Sequence, residues 1–372
     1  MKIAILTSGV LPVPAVRGGA VENLIDFYIE YNEQHQLHDI TVYSVSADKE
    51  NLWTRIQKKW FQRHHSKGYY HHSVEFFFEK AYQKLQKENY DLIIVENRPG
   101  YALKLQERTN VPCILHLHND FLNPETKNAI EIVHGFKRII CVSDFITQRV
   151  KEICPEAKNK CVTVYNAIDL QRFEQAQRGE RKSVGLSEND FVIVYSGRLT
   201  KDKGILQLIQ AIKQIQTIPT IKLLIIGASA YGKDKQTTSF IQQLEREAAS
   251  ISDKVIFTGY IDYSAIPSYL KMADIAVLPS MWEEPFGLTV VEAMAAGIPL
   301  ITTRSGGIPE ICNEVASIVE RDDIVNNLSA AIIDLYQYPE KRNAMSQIAL
   351  QRATYFNKER YAREFYNALT SI

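Results

Sequence analysis

The 372-residue chain has no net charge: 43 Lys and Arg balance 43 Asp and Glu. A nucleic-acid binder usually shows a basic excess, so no nucleic-acid partner is expected. Cysteine is sparse. The five present, Cys113, Cys141, Cys154, Cys161 and Cys312, form no Cys-x-x-Cys pair, which removes the common zinc and redox signatures. Three of them lie in apolar runs and read as core residues. Only Cys154 and Cys161 are close in sequence, which leaves one disulfide open. An odd count in a chain of this length fits a reducing compartment. Long apolar runs are also missing, and none approaches the roughly 18 to 20 residues of a membrane span. The opening Met1–Leu6 holds an apolar run of four residues, followed by Thr7, Ser8, Gly9 and the prolines Pro12 and Pro14. That is too short and too broken for a signal core. A cytoplasmic location is expected, with any membrane contact at the surface, on the inner face of the cell membrane. No Gly-x-Gly-x-x-Gly occurs, which weakens a nicotinamide-dinucleotide reading.

What is present is an ordinary globular balance, 45% apolar and 23% charged, which excludes disorder, collagen and coiled coil. At roughly 150 residues per domain the length suggests two domains. Short β-branched runs alternate with longer amphipathic segments, the pattern of α/β chains with parallel strands. Strands are predicted at Ile3–Leu6, Ile40–Val45, Leu92–Val95, Cys113–Leu117, Arg138–Val142 and Val162–Tyr165. A second series follows at Phe191–Tyr195, Lys222–Ile226, Val255–Phe257, Ile275–Leu278 and Pro299–Thr302. Helices are predicted at Val21–Tyr31, Val74–Leu85, Ile205–Ile215, Ser239–Ala249, Leu288–Ala295 and near Lys358–Leu369. Two doubly wound, Rossmann-like domains facing across a cleft are therefore expected: 1–170, then a charged and amide-rich linker over 171–190, then 191–354. A last helix within 355–372 belongs to either domain. In such sheets ligands bind beyond the carboxyl ends of the strands, so the residues just after each strand carry the functional argument.

After the first strand, Arg17-Gly18-Gly19 leads into a helix. Paired glycines there let backbone N–H groups approach an anion; a flexible turn without a ligand is the plainer alternative. After the fourth strand come His116 and His118, which alternation puts on one face, with Asn119 and Asp120 beyond them. Two histidines with Asp120 as the only third ligand in view favour a structural or hydrogen-bonding role over a metal. After the first strand of the second series, Gly197-Arg198 is followed by Lys203-Gly204 before the next helix. Two cations beside a positive helix end suit a diphosphate; a solvated loop is the alternative. The richest stretch is Pro279–Glu292, where Glu284 sits in a loop and Glu292 in the following helix. Two carboxylates there can accept hydrogen bonds from sugar hydroxyls. Thr289-Val-Val-Glu292 also matches a capping box, which offers Glu292 a purely structural task. Glu284 has no such alternative. Ser305-Gly306-Gly307 is a further glycine-rich turn.

Together these pieces resemble the retaining glycosyltransferases of family 4, which have the GT-B fold. The most specific part is Glu284-Pro-Phe-Gly-Leu-Thr-Val-Val-Glu292, which matches the family's Glu-x7-Glu motif. Ala296-Gly297-Ile298-Pro299 and Ser305-Gly306-Gly307 follow at the family's spacing. Gly18-Gly19, His118, Val142-Ser143, Val164–Asp169 and Ser196-Gly197-Arg198 with Lys203-Gly204 complete the series. The opening Leu11–Gly19 is similar to bacterial enzymes of cell-surface polysaccharide assembly. The resemblance implies that the first domain takes the acceptor and the second a nucleotide-sugar donor. Arg198 and Lys203 would bind the donor diphosphate. Glu284 would hold sugar hydroxyls, aided by backbone N–H groups of Phe286, Gly287 and Leu288. Glu292 would bind the ribose, Gly18 and Gly19 would lie by the diphosphate, and His118 would lie near the transferred sugar. Gly197 and Ile261 are further donor-binding candidates. The base pocket falls between Ala228 and Ile261, where the sequence offers no readable code; Tyr260 and Ile261 are placed to flank the base, UDP, GDP and dTDP donors all stay open, and UDP is favoured on family frequency. No Asp-x-Asp occurs, so neither a metal nor any other cofactor is expected. The family implies retention through front-face attack within an ion pair.

Trp53–His72 holds Arg55, Lys58, Lys59, Arg63 and Lys67 among aromatics and no acid. That composition suits either contact with anionic lipid, fitting a lipid-linked acceptor, or an acceptor-binding lid, or a plain solvated helix. The expected function is hexose transfer from a nucleotide-diphosphate sugar to a glycan or lipid-linked acceptor. A sugar-nucleotide epimerase or phosphorylase is one rival, and a non-catalytic partner of another transferase is the other.

Overall fold

The computed structural model describes residues 1–16, 18–46, 65–71, 76–228 and 238–370. Among them the chain forms two compact units, Met1–Ala167 with Lys358–Ile372, and Ile168–Asn357. Each is built on one sheet whose strand pairs are all parallel.

The first sheet comprises β1 Lys2–Leu6, β2 Asp39–Val45, β3 Ser66–His71, β4 Leu92–Glu96, β5 Cys113–Leu117, β6 Arg138–Cys141 and β7 Cys161–Thr163. Its order is β3-β2-β1-β4-β5-β6-β7. The central strands are nearly continuous apolar runs because helices cover both faces of a parallel sheet. Ile3, Ile5, Ile94 and Ile114 pack with Leu24 and Tyr28 of the Ala20–His35 helix. The final helix, Lys358–Thr370, lies in this same core through Tyr361, Phe365 and Leu369. Phe365 meets the Tyr28 ring edge-on at 4.8 Å. Arg360, also buried, donates to the carbonyls of Tyr165 and Asn166 at 2.8 and 3.2 Å.

The second sheet comprises β8 Phe191–Ser196, β9 Ile221–Ile226, β10 Val255–Gly259, β11 Ile275–Leu278, β12 Leu300–Thr303 and β13 Ser317–Val319. Its order is β10-β9-β8-β11-β12-β13. Ile193, Ile209, Leu223, Leu328 and Ile332 are completely buried in its core. In both sheets the order reverses at the first strand, between β1 and β4 and between β8 and β11. Those reversals are the switch points where open α/β sheets place ligands.

Several expectations need correction. Residues 171–190 are packed into the second unit instead of linking two domains. Phe173 is 1% exposed. Arg181 donates to the carbonyls of Met272, Glu188 and Asp190 and pairs with Asp274 at 2.9 Å. Most of the polar residues there are exposed, and it is Phe173, Arg181 and Leu186 that tie the stretch to the second unit. The first unit ends at Ala167 and not at residue 170. Of the basic aromatic stretch Trp53–His72, residues 53–64 and 72 lie outside the described residues. Ser66–His71 is an edge strand paired with β2. Lys67 there is held by Glu88 at 2.9 Å, and Tyr69 donates to the same carboxylate. Edge strands are exposed on one side and tolerate such polar residues, which hid β3, and β13 is only three residues long. The cysteines are all free thiols, including Cys154 and Cys161.

Candidate active site

In the second unit the loops after β8 and β11 touch. Gly204 precedes the Ile205–Gln214 helix with φ 70°, and a Cβ on it would lie 1.8 Å from the carbonyl oxygen of Pro279. The Met281 N–H donates to the Asp202 carbonyl at 2.8 Å. This close approach brings Lys203 Nζ to 2.5 Å from Glu284 Oε1. Ser280 Oγ donates to the same oxygen at 2.8 Å, and the Trp282 ring lies under the ammonium at 5.0 Å. Glu284 is 8% exposed. Its backbone is locked from the other side: the Gly307 N–H donates to its carbonyl at 2.8 Å. A Cβ on Gly306, at φ 50°, would sit 2.3 Å from that carbonyl. Thr303 and Ser305 hydroxyls bond the Ser280 carbonyl at 2.6 and 2.9 Å. Three strand ends, those of β8, β11 and β12, therefore fix one carboxylate.

Arg198 begins the same loop as Lys203. It is exposed, and among the described residues its guanidinium has no ion-pair or hydrogen-bond partner. Gly197 has φ 156°, and its carbonyl closely meets Gly227, where a Cβ would lie 1.9 Å away. Phe286 is buried, and Gly287 at φ 106° caps the Leu288–Ala295 helix with no side-chain cap. The first N–H groups of that helix have no intrahelical acceptor. The capping-box expectation fails, because Thr289 already lies inside the helix. Glu292 is instead buried within reach of the Tyr263 phenol and near Arg172, whose guanidinium stacks over the Tyr263 ring at 4.8 Å. Burial pushes the Glu292 carboxyl up to about 7, against the opposing pull of Tyr263 and Arg172. Ile261 is half-buried in the loop after β10. Residues 229–237 lie outside the described residues.

In the first unit the Gly18-Gly19 turn precedes the Ala20–His35 helix, with φ 74° and 108°. A Cβ on Gly19 would lie 2.1 Å from Glu22 Oε2, so glycine there accommodates a carboxyl. Burial raises that carboxyl to about 7. His118 follows β5 with its side chain 4% exposed, and its Nε2 lies 2.9 Å from Glu96 Oε2. His116 Nδ1 lies 3.0 Å from the same oxygen. Asp120, the third ligand in view from sequence, pairs with Arg149 at 3.1 Å instead. Glu96, Glu22 and Ser280 were missed by sequence reasoning. The signal for Glu96 was a carboxylate ending the apolar run Leu92–Val95.

Two family models match the chain, Glycosyltransferase Family 4 over residues 19–172 and Glycosyl transferases group 1 over 176–352. Spore coat protein SA of Bacillus subtilis (strain 168) is 29% identical over 95% of this chain and 94% of its own length. YtcC of the same strain, described as a glycosyltransferase, is 33% identical over 86% of this chain and 79% of its own. The lipopolysaccharide 1,2-N-acetylglucosaminetransferase of Salmonella typhimurium is 27% identical over 70% and 69%. Among solved structures, Anabaena HepE in complex with UDP superposes with TM-score 0.74 at 22% identity, covering all of both chains. Its fold, two Rossmann-like units of GT-B type, is that of this chain. On the matching models, the relatives and the fold, the chain belongs to the family 4 glycosyltransferases.

Proposed function

We propose that the chain transfers a hexose from a nucleotide-diphosphate sugar, with UDP as the nucleotide, to a glycan or lipid-linked acceptor of the cell surface. The reaction proceeds with retention and without a metal. The observation that carries this reading is the Lys203–Glu284 pair at the β8/β11 switch point, 2.5 Å apart. Glycosyl transfer builds positive charge on the sugar and negative charge on the leaving diphosphate. A preorganised cation aimed at that phosphate is the largest available lever. In this reading Lys203 moves from Glu284 to the diphosphate when donor arrives, joined by Arg198. Glu284, released from its ion pair, accepts hydroxyls of the sugar, while the N–H groups of Phe286, Gly287 and Leu288 orient it. Glu292 takes the ribose beside Ile261, and Gly197 leaves room for the diphosphate. Gly18 and Gly19 are assigned to the diphosphate, and His118 to the sugar. The UDP-bound HepE and the Salmonella lipopolysaccharide enzyme favour a UDP-sugar and a surface glycan.

Turnover measured over a panel of UDP-, GDP- and dTDP-sugars, with and without EDTA, tests this. UDP-sugar turnover unaffected by EDTA, with the donor's anomeric configuration kept in the product, is the expected result. Lys203→Ala and Glu284→Ala should each lower kcat by at least roughly a hundredfold with melting temperatures close to that of the parent. Parent-like rates in both variants would remove the pair from the reaction. No turnover by the purified chain on any donor would instead favour the non-catalytic partner reading.

A further inference from the structure

The first unit contains a buried polar cluster for which the transfer chemistry above leaves two members unused. Glu96, at the end of β4, and His116 on β5 are 1% and 0% exposed. One carboxylate oxygen, Glu96 Oε2, faces two imidazoles, His118 Nε2 at 2.9 Å in hydrogen-bonding geometry and His116 Nδ1 at 3.0 Å off that direction. The rings pack at 3.9 Å between centroids, with Phe365 of the last helix 4.8 Å from His116. The residue just after β4, Asn97, takes the left-handed φ of 55° that asparagine tolerates. That twist turns its side chain back, and Asn97 Oδ1 accepts the backbone N–H of His118 at 3.1 Å. Two consecutive residues of one strand end therefore hold His118, one by its ring and one by its backbone.

A ring nitrogen's protonation is set by the bond its partner nitrogen makes. We propose that Glu96 is a positioning residue that fixes His118 as the Nε2–H tautomer, so that its bare Nδ1 accepts a hydroxyl of the transferred sugar. The inference rests on the placement of His118 in the reaction proposed above. Nδ1 is buried and has no hydrogen-bond partner among the described residues, as an acceptor kept for a ligand would be. The charge states agree. Burial and the nearby His116 lower the His118 imidazole to about 4, so the ring is neutral near pH 7. Burial would raise the Glu96 carboxyl, but the two imidazoles outweigh it and hold the group at about 2, an anion throughout. The same three groups have ligand atoms within 4.8 Å of one another, so a bound divalent cation is the competing occupant of this space.

Two-bond 1H–15N spectra of the full-length protein read the tautomer directly. The expected result is a single Nε2–H form of His118 in the parent, kept in Glu96→Gln, whose amide oxygen still accepts, and replaced by a mixture in Glu96→Leu. With it, kcat should fall about tenfold in Glu96→Leu, the value of one hydrogen bond to a charged group, and recover substantially in Glu96→Gln. An Nδ1–H or cationic His118 in the parent overturns the proposal without any variant having to fold. So does one equivalent of zinc retained by the purified protein and lost in Glu96→Leu. His118→Ala inactive with Glu96→Leu fully active overturns the positioning role and leaves the proposed function standing. His118→Ala fully active removes His118 from the reaction, and this proposal falls while the transferase reading stands.

Discussion

At the scale of single residues, Glu292, proposed above for the ribose, carries a cost to the fold. An unfolded glutamate gives up its proton near pH 4.5, whereas Glu292 in the fold keeps it to about 7. Between those values the folded state binds the extra proton, so this group's contribution to stability is intact at low pH and falls as pH rises. Above neutrality the penalty is on the order of 3 kcal/mol, because the carboxylate must then exist charged in a buried site. Glu292→Gln keeps the shape and removes the charge. Thermal melts should show the variant stabilised by about 1 to 3 kcal/mol at roughly pH 8 and little changed near pH 4. A variant destabilised at the higher pH would contradict the assignment. If Glu292 takes the ribose as proposed, donor affinity above pH 7 should fall in the same variant, since the charged acceptor is then lost. From sequence, the Glu-x7-Glu spacing singled out both carboxylates. What remained hidden was their surroundings: Tyr263 and Arg172 come from other elements, and no local pattern announces them.

At the scale of elements, the site is made by loops forced into contact where glycine allows it. Gly306 lies where a side chain would meet the Glu284 backbone at 2.3 Å with φ 50°. Gly306→Ala should cost about 1 to 3 kcal/mol in chemical denaturation through backbone strain and overpacking. It should also cut turnover by displacing Glu284. Normal kcat in this variant would show that the turn does not set the carboxylate. Sequence reading located the central strands to within a residue or two, since burial on both faces demands unbroken apolar runs. It found the edge strands β7 and β10 but missed the opposite edge of each sheet, β3 and β13. β3 carries Lys67 and Gly68 and β13 spans three residues, and one-sided pairing asks for neither apolar continuity nor length. Glu96 directly follows the predicted strand Leu92–Val95 and was passed over because one carboxylate after an apolar run carries no motif.

At the scale of the whole molecule, the helix Lys358–Thr370 is part of the first unit's core. Phe365, Tyr361 and Leu369 are each 1% exposed, and their burial is worth about 2 kcal/mol or more apiece. Phe365→Ala should destabilise the first unit by roughly 3 to 5 kcal/mol, read as an early step in denaturant while the second unit's transition stays in place. A variant in which both transitions move together would contradict the separateness of the two cores. The periodicity of 358–369 identified the helix, but nothing in it could say which sheet it covers, because an amphipathic stripe does not name its partner.

That placement makes the second unit an insertion within the first, and it sets an order of assembly on the ribosome. Ile168–Asn357 is contiguous and can fold once it has emerged. The amino-terminal half, although translated earlier, keeps its Tyr28 face uncovered until Lys358–Thr370 has been made. A nascent chain stalled just short of Lys358 would expose that face, and it is there that a chaperone would bind.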